Sequence, residues 1–343
     1  MLDERTQGIL IAVVQSFIQT ADPVGSRTIS KRFDFGLSSA TIRNVMADLE
    51  ELGFLEQPHT SAGRVPTDKG YRSYVDHLQK IDPLSSAETD LISQSYLLYR
   101  GEADEVMAAT SRLLSEVSRY AGVVLCKFST AKFNRVELVK VHGRQVLAIF
   151  VMESRIVQNK LITLDEEMTQ DELHKISNYF NQEFAGQPLH TVRLRVLERM
   201  AEDKAQYDHL VKRAMRVGIK TFEDAAQAKG DIYLGGTANI MDQPEFAANV
   251  ERMKDLFRAF EEKSRLIHIL DRCLATAGVN VIIGSETPFQ DVRECSFVTR
   301  TYSYDDQTIG VLGVVGPKRM AYPRVMAIVD YTADLVSTFL TQG

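Results

Sequence analysis

The sequence predicts an α+β protein of several domains that opens with a winged helix-turn-helix. Three observations carry this. Residues 38–52 read as a helix with one apolar and one small, polar face; a short helix with a Gly-containing turn precedes it and a turn-rich hairpin follows; and beyond residue 120 strand patterns flank a long helical block.

In the helix at 38–52, a spacing of about 100° per residue gathers Ile42, Val45, Met46, Leu49 and Leu52 on one face. Ala40, Arg43, Asn44, Ala47 and Glu51 gather on the other. Two alanines beside Asn44 leave no bulk to hold the helix away from a groove, and Asn and Arg are the side chains that bond bidentately to adenine and guanine edges. Taken alone, an amphipathic helix with Asn and Arg outside is an ordinary surface helix; its neighbours change that reading. Upstream, Ser26 is an N-cap type residue that starts a short helix through Ile29 to Phe33, and Asp34-Phe35-Gly36-Leu37 makes the turn. In that arrangement the first turns of the second helix lie in the major groove.

Downstream, Gly53-Phe54-Leu55-Glu56 leaves as a short strand, residues 57–63 supply turn chemistry, and Arg64-Val65-Pro66 returns as a β-hairpin wing. Thr67 then caps a further helix. These placements assign Ser39, Arg43 and Asn44 to base edges or adjacent phosphates. His59, Thr60, Ser61 and Arg64 of the wing, with Arg27, Lys31, Lys69 and Arg72, are assigned to the DNA backbone, where contacts position without reading sequence. If Arg27, Lys31, Arg64, Lys69 and Arg72 each meet one phosphate, a dimer makes about 10 contacts and log K falls with log salt at a slope of about −9.

Past residue 80, residues 80–86 form the expected linker, and a helical stretch follows from Ala87 to Tyr120. Strands are expected at 123–128, 136–141 and 146–151, then a mainly helical block from Glu166 to Leu270 carrying Leu173, Ile176, Phe180, Leu194, Leu197 and Met200. Asp231-Ile232-Tyr233-Leu234-Gly235-Gly236 interrupts that block. Strands resume at 279–283, 297–302 and 308–315, before a closing helix from Pro323 to Leu340. A helical block splitting a sheet suggests an insertion.

Composition sets outer bounds. The 343 residues allow two or three domains, and 44% hydrophobic with 25% charged is an ordinary globular profile. The N-terminus carries Asp3, Glu4 and Arg5, and no run approaches the roughly 18 apolar residues of a membrane helix, so a cytoplasmic protein with no membrane partner is expected. Cys126, Cys273 and Cys295 have no Cys-x-x-Cys spacing, which argues for reduced, buried thiols and against a disulfide framework or zinc site. The net charge of −6 is unusual for a DNA binder, yet residues 25–43 carry Arg27, Lys31, Arg32 and Arg43 against Asp34 alone.

The four segments Asp22-Pro23-Val24-Gly25-Ser26, Ser39-Ala40-Thr41-Ile42-Arg43-Asn44, Pro58-His59-Thr60-Ser61-Ala62-Gly63-Arg64 and Gly70-Tyr71-Arg72-Ser73-Tyr74-Val75-Asp76 resemble the HrcA family of heat-inducible transcription repressors. The resemblance fills residues 1–80. It departs at one position, since an acidic residue is expected after Asn44 and the chain has Val45, which reads as core and takes no role. The resemblance implies a GAF-like α/β domain after the winged helix, interrupted by an inserted, mainly helical dimerisation domain. The expected domains are then 1–80 for DNA binding, 81–165 with 271–343 for the GAF-like domain, and 166–270 for the insertion. The meander around 133–164 is assignable either to the GAF-like sheet or to the insertion. The resemblance further implies a homodimer on an inverted-repeat operator, CIRCE, in front of chaperone operons, nucleoid association when bound, and a GroEL-type chaperonin that keeps the repressor active. A two-fold dimer demands an inverted repeat on its own account, because one winged helix reads only a few base pairs.

No enzyme or cofactor is expected. Residues 310–319 superficially suggest a phosphate loop but lack the P-loop glycine spacing and its Gly-Lys-Ser/Thr ending, and the seven histidines are dispersed. Arg300, Tyr302 and Tyr304 are candidate liners of a ligand pocket in a GAF-like fold, although alternating aromatic and polar residues are ordinarily the two faces of a strand.

Overall fold

The computed structural model describes all residues except 1, 61, 79–82, 98–102, 127–131, 153–156, 190, 193, 197–213, 215, 219, 222–230, 248, 305–306 and 343. Elements are numbered among these described residues. The architecture is mixed helix and sheet. It begins with α1 (Glu4–Thr20), α2 (Ser26–Arg32) and α3 (Ser39–Glu51), followed by the two-stranded hairpin β1 (Leu55–Glu56) and β2 (Val65–Pro66) and by α4 (Asp68–Asp76). Ile9, Leu10 and Val13 of α1, Ile29 of α2, and Ile42, Met46 and Leu49 of α3 are buried in one cluster with Tyr71 and Tyr74 of α4.

Local chemistry sets the ends of these helices. Ser38 is the N-cap of α3, its hydroxyl accepting from the Thr41 amide at 3.1 Å. The cap of α2 differs from expectation. Ser26 is its first residue, Gly25 holds the cap position, and no side chain accepts there. The packed stripe of α3 ends at Leu49, because the helix stops two residues later and the chain turns at Gly53 with φ 76°. Leu52, expected on that stripe, is therefore 50% exposed.

The helical stretch expected after the linker is described as α5 (Ser86–Leu97) and α6 (Ala103–Ser118), with 98–102 outside the described residues. Residues 80–82 of the expected linker, and residues 127–128 of the first expected strand, lie outside the described residues. Strand β3 (Ala121–Cys126) joins a five-stranded antiparallel sheet in the order β8-β3-β11-β10-β9, built with β8 (Asp231–Gly235), β9 (Val279–Ile283), β10 (Cys295–Tyr304) and β11 (Gln307–Pro317). One face packs on α6 and on α12 (Tyr322–Gln342) through Val124, Leu312 and Val314. The other, through Val123, Leu125 and Val311, is covered by α8 (Thr237–Met241), α9 (Pro244–Ala247), α10 (Val250–Glu261) and α11 (Lys263–Cys273). Helices on both faces are why β3 and β11 read as unbroken apolar runs and not as alternations. Cys126, Cys273 and Cys295 are buried and form no disulfide among the described residues.

The meander forms a second sheet. Strands β4 (Lys132–His142), β5 (Gln145–Met152), β6 (Val157–Thr163) and β7 (Gln187–Pro188) pair in the order β6-β5-β4-β7, and α7 (Gln170–Phe184) packs on one face through Phe180 and Phe184. Inward residues Val136, Leu138, Ala148 and Phe150 are buried, while the outward row Val139, Leu147 and Leu161 is aligned by register and exposed at both ends. The expected boundaries at 166 and 270 do not follow this pairing. Strands leave the five-stranded sheet after Cys126 and return to it at Asp231. Periodicity detects a strand without naming its partner: the meander, left open between the two by the sequence, pairs in the four-stranded sheet, and the helices after β8 cover the five-stranded one. Leu194 is 53% exposed, and Leu197 and Met200 lie outside the described residues.

Candidate nucleic-acid interface

Helix α3 presents its N-terminal turns outward. Arg43, Asn44 and Ala40 are exposed, Ser39 and Ala47 half-buried, and Val45 packs partly buried against the core. Among the described residues neither the Arg43 nor the Asn44 side chain has a hydrogen-bond or ion-pair partner. The turn before α3 bends at Gly36, with φ 63°, and the Asp34 carboxylate accepts from its amide at 3.3 Å. Arg27 and Lys31 on α2 are exposed and carry no ion pair among the described residues.

The hairpin is anchored at its base and shaped at its tip. Leu55 pairs with Pro66 and Glu56 with Val65, and the Val24 and Arg64 backbones exchange two hydrogen bonds of 2.9 Å, tying the hairpin to the start of α2. At the tip, Gln57 Nε2 donates to the carbonyls of Thr60 (3.0 Å) and Ala62 (2.9 Å). His59 and Thr60 are exposed there, and Ser61 lies outside the described residues.

Three of the five expected backbone cations already have partners. Arg64 Nη2 pairs with Glu50 Oε2 at 2.8 Å, fixing the hairpin to α3. Lys69 Nζ donates to the Leu52 carbonyl at 2.8 Å and lies 4.2 Å from the Phe54 ring centroid, a cation over an aromatic face. Arg72 points away from the hairpin: its Nε and Nη2 reach the two oxygens of Glu286 at 2.7 and 2.5 Å, and Nη2 also donates to the Val281 carbonyl at 2.6 Å. The Glu286 carboxylate holds the Arg72 guanidinium more firmly protonated than usual. Nearby Asp68 is raised by burial, but the Ser285 amide and Lys318 outweigh this and bring it below its ordinary value of 3.8. Its folded value being depressed, its contribution is present above the ordinary value and is lost only as pH falls through the folded one, so these contacts persist from pH 5 to 8.

Sequence reasoning missed Glu50 and Glu286. Glu50 lies on α3 itself, one position before a residue of the expected outward face, while Glu286 is 214 residues from Arg72 and no local pattern announces it. The suggested ligand pocket does not form among the described residues. Arg300 is held by Asp330 (2.7 Å) and Asp334 (2.8 Å), and Tyr302 is fully buried with its hydroxyl on the Leu125 carbonyl. The glycine-rich run at 310–317 is strand β11.

Comparison with known proteins gives the family. The model of the "HrcA protein C terminal domain" matches residues 104–326. A heat-inducible transcription repressor HrcA of Geobacter sulfurreducens is 48% identical over 99% of this chain and 98% of the relative. One of Syntrophobacter fumaroxidans is 42% identical over the same shares. A crystal structure of a hypothetical protein shares the fold with a TM-score of 0.65 at 21% identity, covering 99% of both chains. No helix among the described residues is long and apolar enough to cross a membrane. The class is thus a transcription repressor whose partner is DNA, and not an enzyme. The chain belongs to the HrcA family of heat-inducible transcription repressors.

Proposed function

We propose that this chain is a homodimeric repressor that reads the CIRCE inverted repeat in front of chaperone operons, with residues 1–80 acting as a winged helix. The observation that carries this reading is the outward surface of α3, where Arg43 and Asn44 stand exposed and without internal partners between small alanines. Arg27, Lys31, His59 and Thr60 supply phosphate contacts beside it. The five-stranded sheet with helices on both faces is the GAF-like domain, and the segment from 132 to 230 is its insertion. Dimerisation through that insertion is supported by the outward row Val139, Leu147 and Leu161, an apolar face on the side of the sheet that α7 leaves bare.

A gel-shift series with the intact repeat, a single half-site and a repeat with altered spacing tests the reading. Tight binding is expected only to the intact repeat, and equal affinity for the half-site contradicts the dimer. With Arg64, Lys69 and Arg72 engaged internally, Arg27 and Lys31 remain of the five, so a dimer makes about 4 phosphate contacts and a salt slope of about −4 is expected. A slope near about −9 would show that the three engaged cations leave their partners on binding.

Repression is released when the chaperonin that maintains the repressor, of GroEL type, is diverted to other clients during heat stress. This is compatible with a multidomain chain that folds through aggregation-prone intermediates. Full recovery of operator binding by heated, purified protein without chaperonin contradicts it.

A further inference from the structure

Helix α4 is joined to two bodies at once. Toward the DNA-reading side, the Thr67 hydroxyl donates to the Gly53 carbonyl at 2.7 Å, and Lys69 Nζ holds the Leu52 carbonyl at the end of α3. Toward the five-stranded sheet, Arg72 grips both oxygens of Glu286 and the Val281 carbonyl, while Asp68 accepts from the Ser285 amide at 2.8 Å and pairs with Lys318 at 3.0 Å. Tyr71 and Tyr74 pack against Tyr322 of α12 with ring centroids 6.2 and 6.4 Å apart. At the far end of the module, Arg319 Nη1 donates to the Ile18 carbonyl of α1 at 2.8 Å.

Isolated surface ion pairs contribute little. These contacts differ in kind, because Arg72 is bidentate and three of the partners are backbone groups that cannot follow a moving side chain. A bidentate fork and backbone acceptors on two sides of the module fix its orientation as well as its distance. The reading helix is therefore rigidly referred to the sheet by way of α4.

We propose that Arg72 and Asp68, with their partners Glu286 and Lys318, are positioning residues that set the operator spacing the dimer accepts. This rests on the dimeric reading of an inverted repeat given above. Two reading helices related by a two-fold axis reach successive major grooves only at one separation, and that separation is fixed only if each module is held at a fixed angle to the part of the chain that dimerises. Loosening the clamp leaves each reading helix intact and frees its angle, so discrimination between spacings falls while recognition of a half-site does not.

Glu286→Gln with Lys318→Met breaks the clamp from the sheet side, at two residues to which no DNA contact is assigned. Fluorescence anisotropy with the CIRCE repeat, the same repeat lengthened by about 5 base pairs (half a helical turn), and a single half-site reads the effect. Wild-type protein is expected to prefer the original spacing by about tenfold or more, equivalent to about 1.4 kcal/mol. The double variant is expected to bring the two spacings within about threefold, with half-site affinity unchanged. A folded double variant, by circular dichroism, that keeps the wild-type spacing preference overturns the proposal; if the double variant does not fold, the single Glu286→Gln variant is read in the same way. Wild-type protein that fails to prefer the repeat over random DNA overturns the operator reading itself.

Discussion

Val139→Asp combined with Leu161→Asp is expected to turn the dimer into monomers and to abolish tight operator binding while leaving the subunit folded. Both residues flank Leu147 on the outward face of the four-stranded sheet, Val139 paired with Leu147 and Leu147 with Leu161. They are 37% and 55% exposed in the single chain, so a carboxylate there remains hydrated in the monomer. In a dimer closed over this face, four carboxylates meet across an apolar contact, and desolvated like charges cost several kcal/mol. Each tenfold rise in the dissociation constant corresponds to about 1.4 kcal/mol. Sedimentation velocity reads the mass and a gel shift the loss of repeat binding. A variant that remains dimeric at micromolar concentration shows that subunits meet elsewhere.

Gly70→Ala is expected to destabilise the N-terminal module, against the usual sign of that substitution. In a helix interior, alanine is ordinarily favoured over glycine by about 0.8–1 kcal/mol. Here a Cβ would sit 2.2 Å from the Phe54 carbonyl oxygen and 3.3 Å from its carbon, both backbone atoms that no rotamer change can move. Relief requires α4 to withdraw from the hairpin, disturbing Thr67, Lys69 and the buried rings of Tyr71 and Tyr74. Overpacking of this kind costs about 1–3 kcal/mol, enough to reverse the propensity gain. Thermal unfolding is the check, with a lowered Tm expected and an unchanged or raised one against the argument.

Much of the chain was legible because single elements carry their own signatures. The apolar spacing of Ile42, Met46 and Leu49 gave α3, and Thr67 gave the start of α4, since both depend on residues within one or two turns. The runs at 279–283, 297–302 and 308–315 correspond to β9, β10 and β11. The assignment of strands to sheets was harder, although a clue was present. Residues 121–126 are apolar throughout, as a strand covered on both faces must be, whereas 136–141 include the charges Glu137 and Lys140, as a strand covered on one face can. At the interface, the outward position of Asn44 follows from helical angle alone. The engagement of Arg64, Lys69 and Arg72 does not, because their partners are set by tertiary packing: Glu50 across the hairpin, the Leu52 carbonyl at a helix end, and Glu286 in another sheet.

The central claim is that the outward surface of α3 reads bases. Asn44→Ala tests it most directly, since the side chain is exposed and its removal leaves the fold undisturbed. Binding measured on the CIRCE repeat and on random DNA of equal length is expected to weaken by about 1–3 kcal/mol on the repeat, with affinity for random DNA unchanged. Equal losses on both DNAs, or no loss on either, would contradict it.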